Sequence, residues 1–118
     1  MKVTLRNAYE IRLDEAVANL LDHGAELAAQ RLLDQAYVTV PALLAQFPHI
    51  GRNFLDRNPS TPSVQAAWDQ ACALLGNDIE LREYVFEDYL VLYAVHGTQI
   101  ELLTLRHHRQ AGFLLPEA

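Results

Sequence analysis

Lysine, cysteine and long apolar runs are scarce in this sequence, and each scarcity excludes a class of protein. Lys2 is the only lysine, and 15 acidic residues against 9 basic ones give a net charge of -6. Sequence-independent binding to nucleic acid depends on lysine and arginine side chains that release the counterions of phosphates. The charge therefore disfavours such binding, although it leaves room for a small basic pocket.

The single cysteine, Cys72, excludes an internal disulfide bond and a metal site built from several cysteines, and it fits a reducing compartment. No stretch approaches the ~18 consecutive apolar residues of a membrane span, and the first residues do not have the pattern of a signal peptide. We therefore expect a cytoplasmic protein. A chain of 118 residues, 51% hydrophobic and 20% charged, predicts one globular domain over residues 1–118.

The N-terminal segment predicts a strand followed by a short helix. Tyr9, Ile11 and Leu13 recur at every second residue, which is typical of a strand and predicts that it ends near Leu13. Asp14 is then expected to cap the N-terminus of the helix, because its carboxylate can accept a backbone hydrogen bond there. Gly24 is expected near the end of this helix.

A second, longer helix is predicted over residues 26–47 and completes a helical hairpin. Its apolar residues recur at steps of three and four, which is the pattern of a helix packed on a flat surface. Pro41 lies inside this helix. Because proline has no N–H and clashes with the preceding turn, we expect a kink near residues 37–40 or a break into two helices.

Residues 58–77 predict an additional helix, inserted between the hairpin and the second half of the chain. Ser60 or Thr61 is expected as its N-cap, Pro62 suits its first position, and Gly76 is expected to end it. Its apolar stripe consists of Val64, Trp68, Ala71 and Leu75.

The C-terminal part predicts an antiparallel meander of three strands. Residues 80–86, 89–95 and 99–106 are rich in β-branched, aromatic and leucine residues. The short turns Glu87-Asp88 and Gly97-Thr98 force neighbouring strands to run antiparallel. We therefore predict an α+β fold, in which an N-terminal strand and helices precede the meander and the helices pack on one face of a single sheet.

Strand pairing divides the meander into two faces, because residues that pair across strands share a face. The predicted pairs are Phe86 with Tyr89, Tyr84 with Val91, Arg82 with Tyr93, Tyr93 with Leu102 and Tyr89 with Arg106. The face expected to be open carries Arg82, Tyr84, Tyr89, Tyr93, Thr104 and Arg106, and His108 shares it by parity. The face expected to pack on the helices carries Val85, Leu90, Leu92, Ala94, Leu103 and Leu105.

The order of these elements, with the segment FPHIGR after the long helix, resembles the RelE/ParE superfamily of toxins from bacterial type II toxin-antitoxin modules, also called plasmid stabilisation proteins. The resemblance spans nearly the whole chain. The residues that carry it are Phe47 with Pro48, Gly51 with Arg52, Leu81 with Arg82, Leu92 with Tyr93, and His107 with Arg109. One departure is the segment at residues 58–77, which is longer than the connection that such toxins usually have.

The resemblance implies one of two activities. RelE-like toxins cut messenger RNA on the ribosome, with side chains that activate the ribose 2'-hydroxyl and stabilise charge on the phosphate. The residues that would act in such a nuclease are Arg82, Tyr93, Arg106, His107, His108 and Arg109. ParE-like toxins inhibit DNA gyrase through protein contacts and cleave nothing themselves. Residues 77–118 contain seven acidic residues and three arginines, which suits ribosomal RNA poorly and favours the ParE-like activity.

The resemblance also implies a cognate antitoxin, which would cover apolar and aromatic surface of the toxin and form a hetero-oligomer with it. The residues expected to contact partner proteins are Arg82, Tyr84, Tyr89, Tyr93, Arg106, Phe113, Leu114 and Leu115. Several alternatives stay open. The arginines of the meander pair with nearby acids, the tail at residues 113–115 packs on the chain's own core, or the chain is a degenerate, non-toxic module that only binds an antitoxin.

No cofactor and no metal ion are expected. The adjacent histidines His107 and His108 suggest metal binding at first sight. In a strand, however, neighbouring side chains point to opposite faces, and the sequence has no third ligand at a suitable spacing.

Overall fold

The computed structural model describes residues 1–57 and 62–108 and has an α+β architecture, as predicted. The helices are α1 (Asn7–Asp22), α2 (Glu26–Asp34), α3 (Val40–Gln46), α4 (Phe54–Arg57) and α5 (Pro62–Leu75). The strands are β1 (Lys2–Leu5), β2 (Arg52–Asn53), β3 (Glu80–Phe86), β4 (Tyr89–His96) and β5 (Gln99–His107). They form one sheet in the order β1-β5-β4-β3-β2, in which β1 runs parallel to β5 and the other neighbours are antiparallel.

The N-terminal strand is shorter than the sequence predicts. β1 ends at Leu5, and the predicted strand end near Leu13 is wrong because residues 7–22 are helical. Tyr9 and Leu13 are buried one helical turn apart, so their spacing fits a helix as well as a strand. The prediction that Asp14 caps a helix is also wrong, since Asp14 lies exposed inside α1.

The long helix is interrupted, as Pro41 predicts, by a π-helical segment at Gln35–Thr39 between α2 and α3. The N–H of Val40 donates to the carbonyl of Gln35, five residues back. It therefore does not donate to the carbonyl of Ala36, four residues back, as it would in an α-helix. Pro41, five residues after Ala36, has no N–H to offer. The buried hydroxyl of Tyr9 donates to the Ala36 carbonyl instead, at 2.7 Å, and so ties α1 to the interrupted helix.

The first hairpin of the meander has the predicted turn and register. Its pairs include Phe86 with Tyr89, Tyr84 with Val91 and Arg82 with Tyr93. Gly97 and Thr98 form the second turn, and Tyr93 pairs with Leu102, also as predicted.

Beyond that pair the second hairpin contains a β-bulge at Leu103, which the sequence analysis did not predict. The register there pairs Leu92 with Thr104, Val91 with Leu105, Leu90 with Arg106 and Tyr89 with His107. The predicted pair of Tyr89 with Arg106 is therefore wrong, because the extra residue shifts the rest of β5 by one position.

The faces of the meander differ from the prediction. Tyr84, Tyr89 and Tyr93 were expected on an open face, but they pack in a cluster with apolar residues of α1–α3. Leu92 and Ala94 were expected on the face that packs on helices, and they do so by clustering with apolar residues of α5. The bulge further moves Thr104 and Arg106 to the α5 side and Leu105 to the α1 side. Because β4 is apolar at nearly every position, its sequence does not distinguish the two faces.

The additional helix is confirmed as α5, from Pro62 to Leu75, with Gly76 after it. Val64, Trp68 and Leu75 pack on the sheet through this helix. Its expected N-cap residues, at positions 60 and 61, lie outside the described residues. Within the part of the chain that the structure describes, no helix combines the length and apolarity needed to cross a membrane.

Candidate functional site

The loop at residues 47–52 connects α3 to β2 and is held by side chains of the meander; we call it the anchored loop. Tyr93 of β4 is fully buried, and its hydroxyl accepts a hydrogen bond from the N–H of Gly51 at 3.0 Å. The same hydroxyl donates to the carbonyl of Pro48 at 2.8 Å. One phenol therefore satisfies two backbone groups of the loop.

Arg82, opposite Tyr93 in the sheet, binds the same loop. Its Nη1 donates to the carbonyls of His49, at 3.1 Å, and of Gly51. Its Nη2 donates to Oε1 of Glu80 at 2.9 Å, and Oε2 of Glu80 lies 3.0 Å from Nδ1 of His49. Guanidinium, carboxylate and loop backbone thus form one charge-assisted network.

Gly51 is required by this packing. A Cβ atom there would lie 2.5 Å from the carbonyl oxygen of Glu83 and 2.7 Å from the hydroxyl oxygen of Tyr93. Any side chain at this position would push the loop away from the sheet. The packing therefore explains why the FPHIGR segment has a glycine at this position.

The network also sets the pKa values of its members. The hydrogen bond from Arg82 is the main cause that lowers the pKa of Glu80, and the nearby His49 contributes. Burial raises the pKa of the Tyr93 hydroxyl, against the smaller effect of its bond with Gly51. Tyr93 therefore stays protonated at neutral pH and is unsuited to act as a base.

A second group of the predicted site residues lies where β4 begins and β5 ends. The rings of Tyr89 and His107 meet edge to face at 5.4 Å, and those of His107 and His108 stack at 4.6 Å. Nδ1 of His108 lies 3.1 Å from the carbonyl oxygen of Asp88. Burial, followed by the charges of Asp88 and Glu87, raises the pKa of the Tyr89 hydroxyl.

The two groups do not meet in one site. Tyr93 and Tyr89 are four residues apart on β4, which is about 13 Å along a strand. Arg106 lies opposite Leu90, on the other face of the sheet from Tyr89. The remaining predicted residues Arg109, Phe113, Leu114 and Leu115 lie outside the described residues. Within the ranges 1–57 and 62–108, no cluster of His, Cys, Asp and Glu side chains is arranged to hold a metal ion.

The anchored loop presents apolar surface that the sequence analysis did not single out. Phe47 is 50% and Ile50 is 49% exposed. Together with Leu43 and Pro48 they line a shallow depression of about 470 Å³. Because Tyr93 and Arg82 together make four hydrogen bonds to the loop backbone, these side chains stand on a fixed base, which reduces the entropy lost when a partner docks.

Sequence reasoning also missed His49 and Glu80 as members of the network. A signal for Glu80 was present, since residues two apart in a strand share a face and Glu80 precedes Arg82 at that spacing. No comparable signal existed for His49. Its position depends on the path of the loop, which no periodicity describes.

Comparison with known families gives one result. Residues 3–112 match the family model described as the ParE toxin of the type II toxin-antitoxin system, parDE. The matched range contains both the anchored loop and the histidine pair at the end of β5. A comparison with curated proteins gives no match. Because the family model covers nearly the whole chain, the chain belongs to the ParE toxin family of type II toxin-antitoxin systems.

Proposed function

We propose that this chain is a toxin that inhibits DNA gyrase by direct protein contact and that a cognate antitoxin neutralises it in a hetero-oligomer. Gyrase acts on DNA in the cytoplasm, so the proposal assigns the chain to that compartment. Membership of the ParE toxin family supports both the toxin role and the antitoxin partner. Inhibition by contact needs an exposed surface on a rigid base, and it needs no catalytic group.

The observation that carries the proposal is the use of Arg82 and Tyr93 in the anchored loop. Both were candidates for cleaving RNA, but the Tyr93 hydroxyl and both Nη atoms of Arg82 are bonded to loop backbone and to Glu80. Tyr93 is moreover fully buried. These bonds favour a positioning role, in which the two side chains hold Phe47 and Ile50 on the surface for contact with a partner.

Phe113, Leu114 and Leu115 remain proposed partner contacts of the tail. Tyr84 and Tyr89 pack against the α1–α3 cluster with part of their surface exposed, so they would contribute only at the rim of an interface. We therefore propose the exposed side chains of the anchored loop as the centre of the gyrase contact.

A supercoiling assay with purified gyrase tests this proposal. We expect the chain to inhibit gyrase and the double variant Phe47→Asp/Ile50→Asp to lose inhibition by about tenfold or more, because each change places a charge in an apolar contact. Leu27→Asp is the matched control, since Leu27 is 84% exposed on α2 and lies outside the loop. All variants should keep the circular dichroism spectrum of the parent chain.

The rival activities have distinct outcomes in the same experiment. A ribosome-dependent nuclease would leave gyrase unaffected and cut messenger RNA in a purified translation reaction, with loss of cutting in His107→Ala. A non-toxic antitoxin-binding module would do neither and would not arrest growth on expression. Either result would overturn the proposal.

A further inference from the structure

The outer side of α2 exposes apolar side chains at a distance from the anchored loop. Leu27 is 84% exposed, and Val38, in the π-helical segment that follows α2, is 61% exposed. A shallow depression of about 670 Å³ lies beside Leu27, and its other lining residues are Gln30, Arg31, Leu33 and Asp34. Single exposed apolar residues are ordinary on a protein surface, so the arrangement of these side chains is what indicates a contact.

Exposed residues follow one another along this side of the helix at helical spacing. They are Leu27, Arg31, Asp34 and Val38, which we call the α2 face. Their steps of four, three and four residues place them on one side of the helix. The residues that pack towards the sheet recur at similar steps and are all buried: Ala29, Leu32, Ala36 and Val40. The α2 face therefore points away from the core.

The α2 face is symmetric about its middle. Its two charged residues, Arg31 and Asp34, and its two apolar residues, Leu27 and Val38, are both centred between residues 32 and 33. If a second copy of α2 packed antiparallel across this point, Arg31 would face Asp34 of that copy, and Leu27 would face its Val38. Such a contact is self-complementary, as the two-fold interface of a homodimer must be. A face that binds an unrelated helix has no need of this symmetry, so the symmetry favours a second copy.

Both charges of the α2 face are available for such a contact. The side chain of Arg31 is 69% exposed, and its Nη1 donates to Oε1 of Glu87 at 3.3 Å. An exposed ion pair of this kind contributes little, because both side chains are well hydrated. The guanidinium has further N–H donors for a second acceptor. Asp34 is exposed and forms no ion pair within the ranges that the structure describes.

We propose that the chain forms a homodimer in which two copies of α2 pack antiparallel through the α2 face. The depression beside Leu27 receives Val38 of the second copy, and the contact between Arg31 and Asp34, formed twice, sets the register. A contact between two single helices is small compared with the standard interface of ~1,600 Å². We therefore expect a dissociation constant on the order of 10 µM. The anchored loop lies beyond α3, so the inference does not rest on gyrase inhibition.

Sedimentation equilibrium of the whole chain over a series of concentrations tests the inference. The measurement is made at about 0.15 M salt, where the repulsion between two chains of net charge -6 is screened beyond ~8 Å. We expect reversible association to dimers. Arg31→Asp and Asp34→Arg should each weaken the dimer about tenfold or more, because like charges then face each other at two symmetric contacts.

A mixture of these two variants gives the decisive result. In a mixed pair, opposite charges again face each other at both contacts, so Arg31→Asp and Asp34→Arg should pair with each other although neither pairs with itself. The double variant Arg31→Asp/Asp34→Arg should regain self-association for the same reason. A merely structural role of either residue would produce neither rescue.

Two further variants serve as controls. Glu87→Gln removes the intramolecular partner of Arg31 and should not weaken the dimer; a loss equal to that of Arg31→Asp would overturn the inference. Leu27→Asp should weaken the dimer about tenfold, because it places a charge in an apolar contact. Thermal melts of each variant establish that the fold is intact.

Two outcomes would exclude a second copy as the occupant of the α2 face. One is a parent chain that stays monomeric at about 500 µM, well above the expected dissociation constant. The other is a failure of the two charge variants to pair when mixed. Either result would overturn the inference and leave the face to an antitoxin or to gyrase.

Discussion

Among the glycines that the structure describes, Gly51 has the most restrictive surroundings. Gly51→Ala places a methyl group 2.5 Å from a backbone oxygen of β3, which cannot move without disturbing the sheet. We expect a loss of about 1–3 kcal/mol in the free energy of unfolding, as for overpacking in a core. Urea denaturation measures this loss.

A matched control for Gly51 is Gly24→Asn. Gly24 has a φ of 73° and no atom within 4 Å of a built Cβ, and asparagine tolerates the left-handed conformation. We expect its effect to stay within about 0.5 kcal/mol, as for a surface substitution. Equal losses at the two glycines would contradict the steric explanation.

Glu80 gives the anchored loop a dependence on pH. The hydrogen bond from Arg82 lowers the pKa of Glu80 in the folded chain, so folding is favoured while the carboxylate is charged. The contribution is fully present above the unfolded pKa of about 4.3 and is lost as pH falls through the lower, folded value. We expect the stability difference between the parent chain and Glu80→Gln to shrink on acidification through this window.

Urea midpoints measured at a series of pH values check this prediction. Glu26→Gln removes an exposed carboxylate on α2 and supplies the baseline for loss of one surface charge. A difference between the parent chain and Glu80→Gln that stays constant from neutral to acid pH would contradict the assignment of the lowered pKa to the Arg82 contact.

For individual residues, the sequence predicted which residues lie side by side in the sheet, but it did not predict which groups their side chains bind. Arg82 and Tyr93 were predicted to be adjacent, and the register confirms it. Their bonds to loop backbone were not predictable, because a strand pattern specifies the face of a side chain but not the path of a distant loop.

Among the elements, the π-helical segment depends on a contact with α1. Tyr9→Phe removes the donor to the buried carbonyl of Ala36, and leaving that carbonyl unpaired should cost about 1–3 kcal/mol. In a Pro41→Ala background, residue 41 gains an N–H that can reach this carbonyl or restore an α-helical register. We therefore expect Tyr9→Phe to cost less in that background.

A double-mutant cycle of unfolding free energies measures this coupling. Tyr37→Phe serves as the control, because Tyr37 is 40% exposed in the same segment, and its change should stay within about 0.5 kcal/mol. If Tyr9→Phe costs the same with and without Pro41, the freed carbonyl does not explain the role of Tyr9.

The existence of the elements was more predictable than their limits. Short turns identified both hairpins, and proline identified the interruption of the long helix, because each acts through local sterics. Part of α1 was predicted as a strand, because the spacing of Tyr9 and Leu13 fits both the two-residue period of a strand and one turn of a helix. The bulge at Leu103 was not predictable, because Leu102, Leu103 and Leu105 are chemically equivalent in either register.

In the whole molecule, the helical hairpin and α5 contact opposite faces of the meander. A central strand that is apolar on both faces is equally satisfied by cover from either side. The tyrosine face was therefore assigned to solvent, although it lies under α1–α3. A charged or amide side chain in the middle of β4 would have decided between the faces, and the sequence has none there.

The parallel pairing of β1 with β5 also determines when the sheet can be completed during synthesis. Lys2 lies opposite Gln99, and the N–H of Arg6 donates to the carbonyl of Leu102 at 3.0 Å. During synthesis, β1 leaves the ribosome long before its partner strand exists, and contacts so distant in sequence are slow to form. The sheet is completed only after β5 has emerged, so a nascent chain cannot assemble its finished surface while most of it is still being translated.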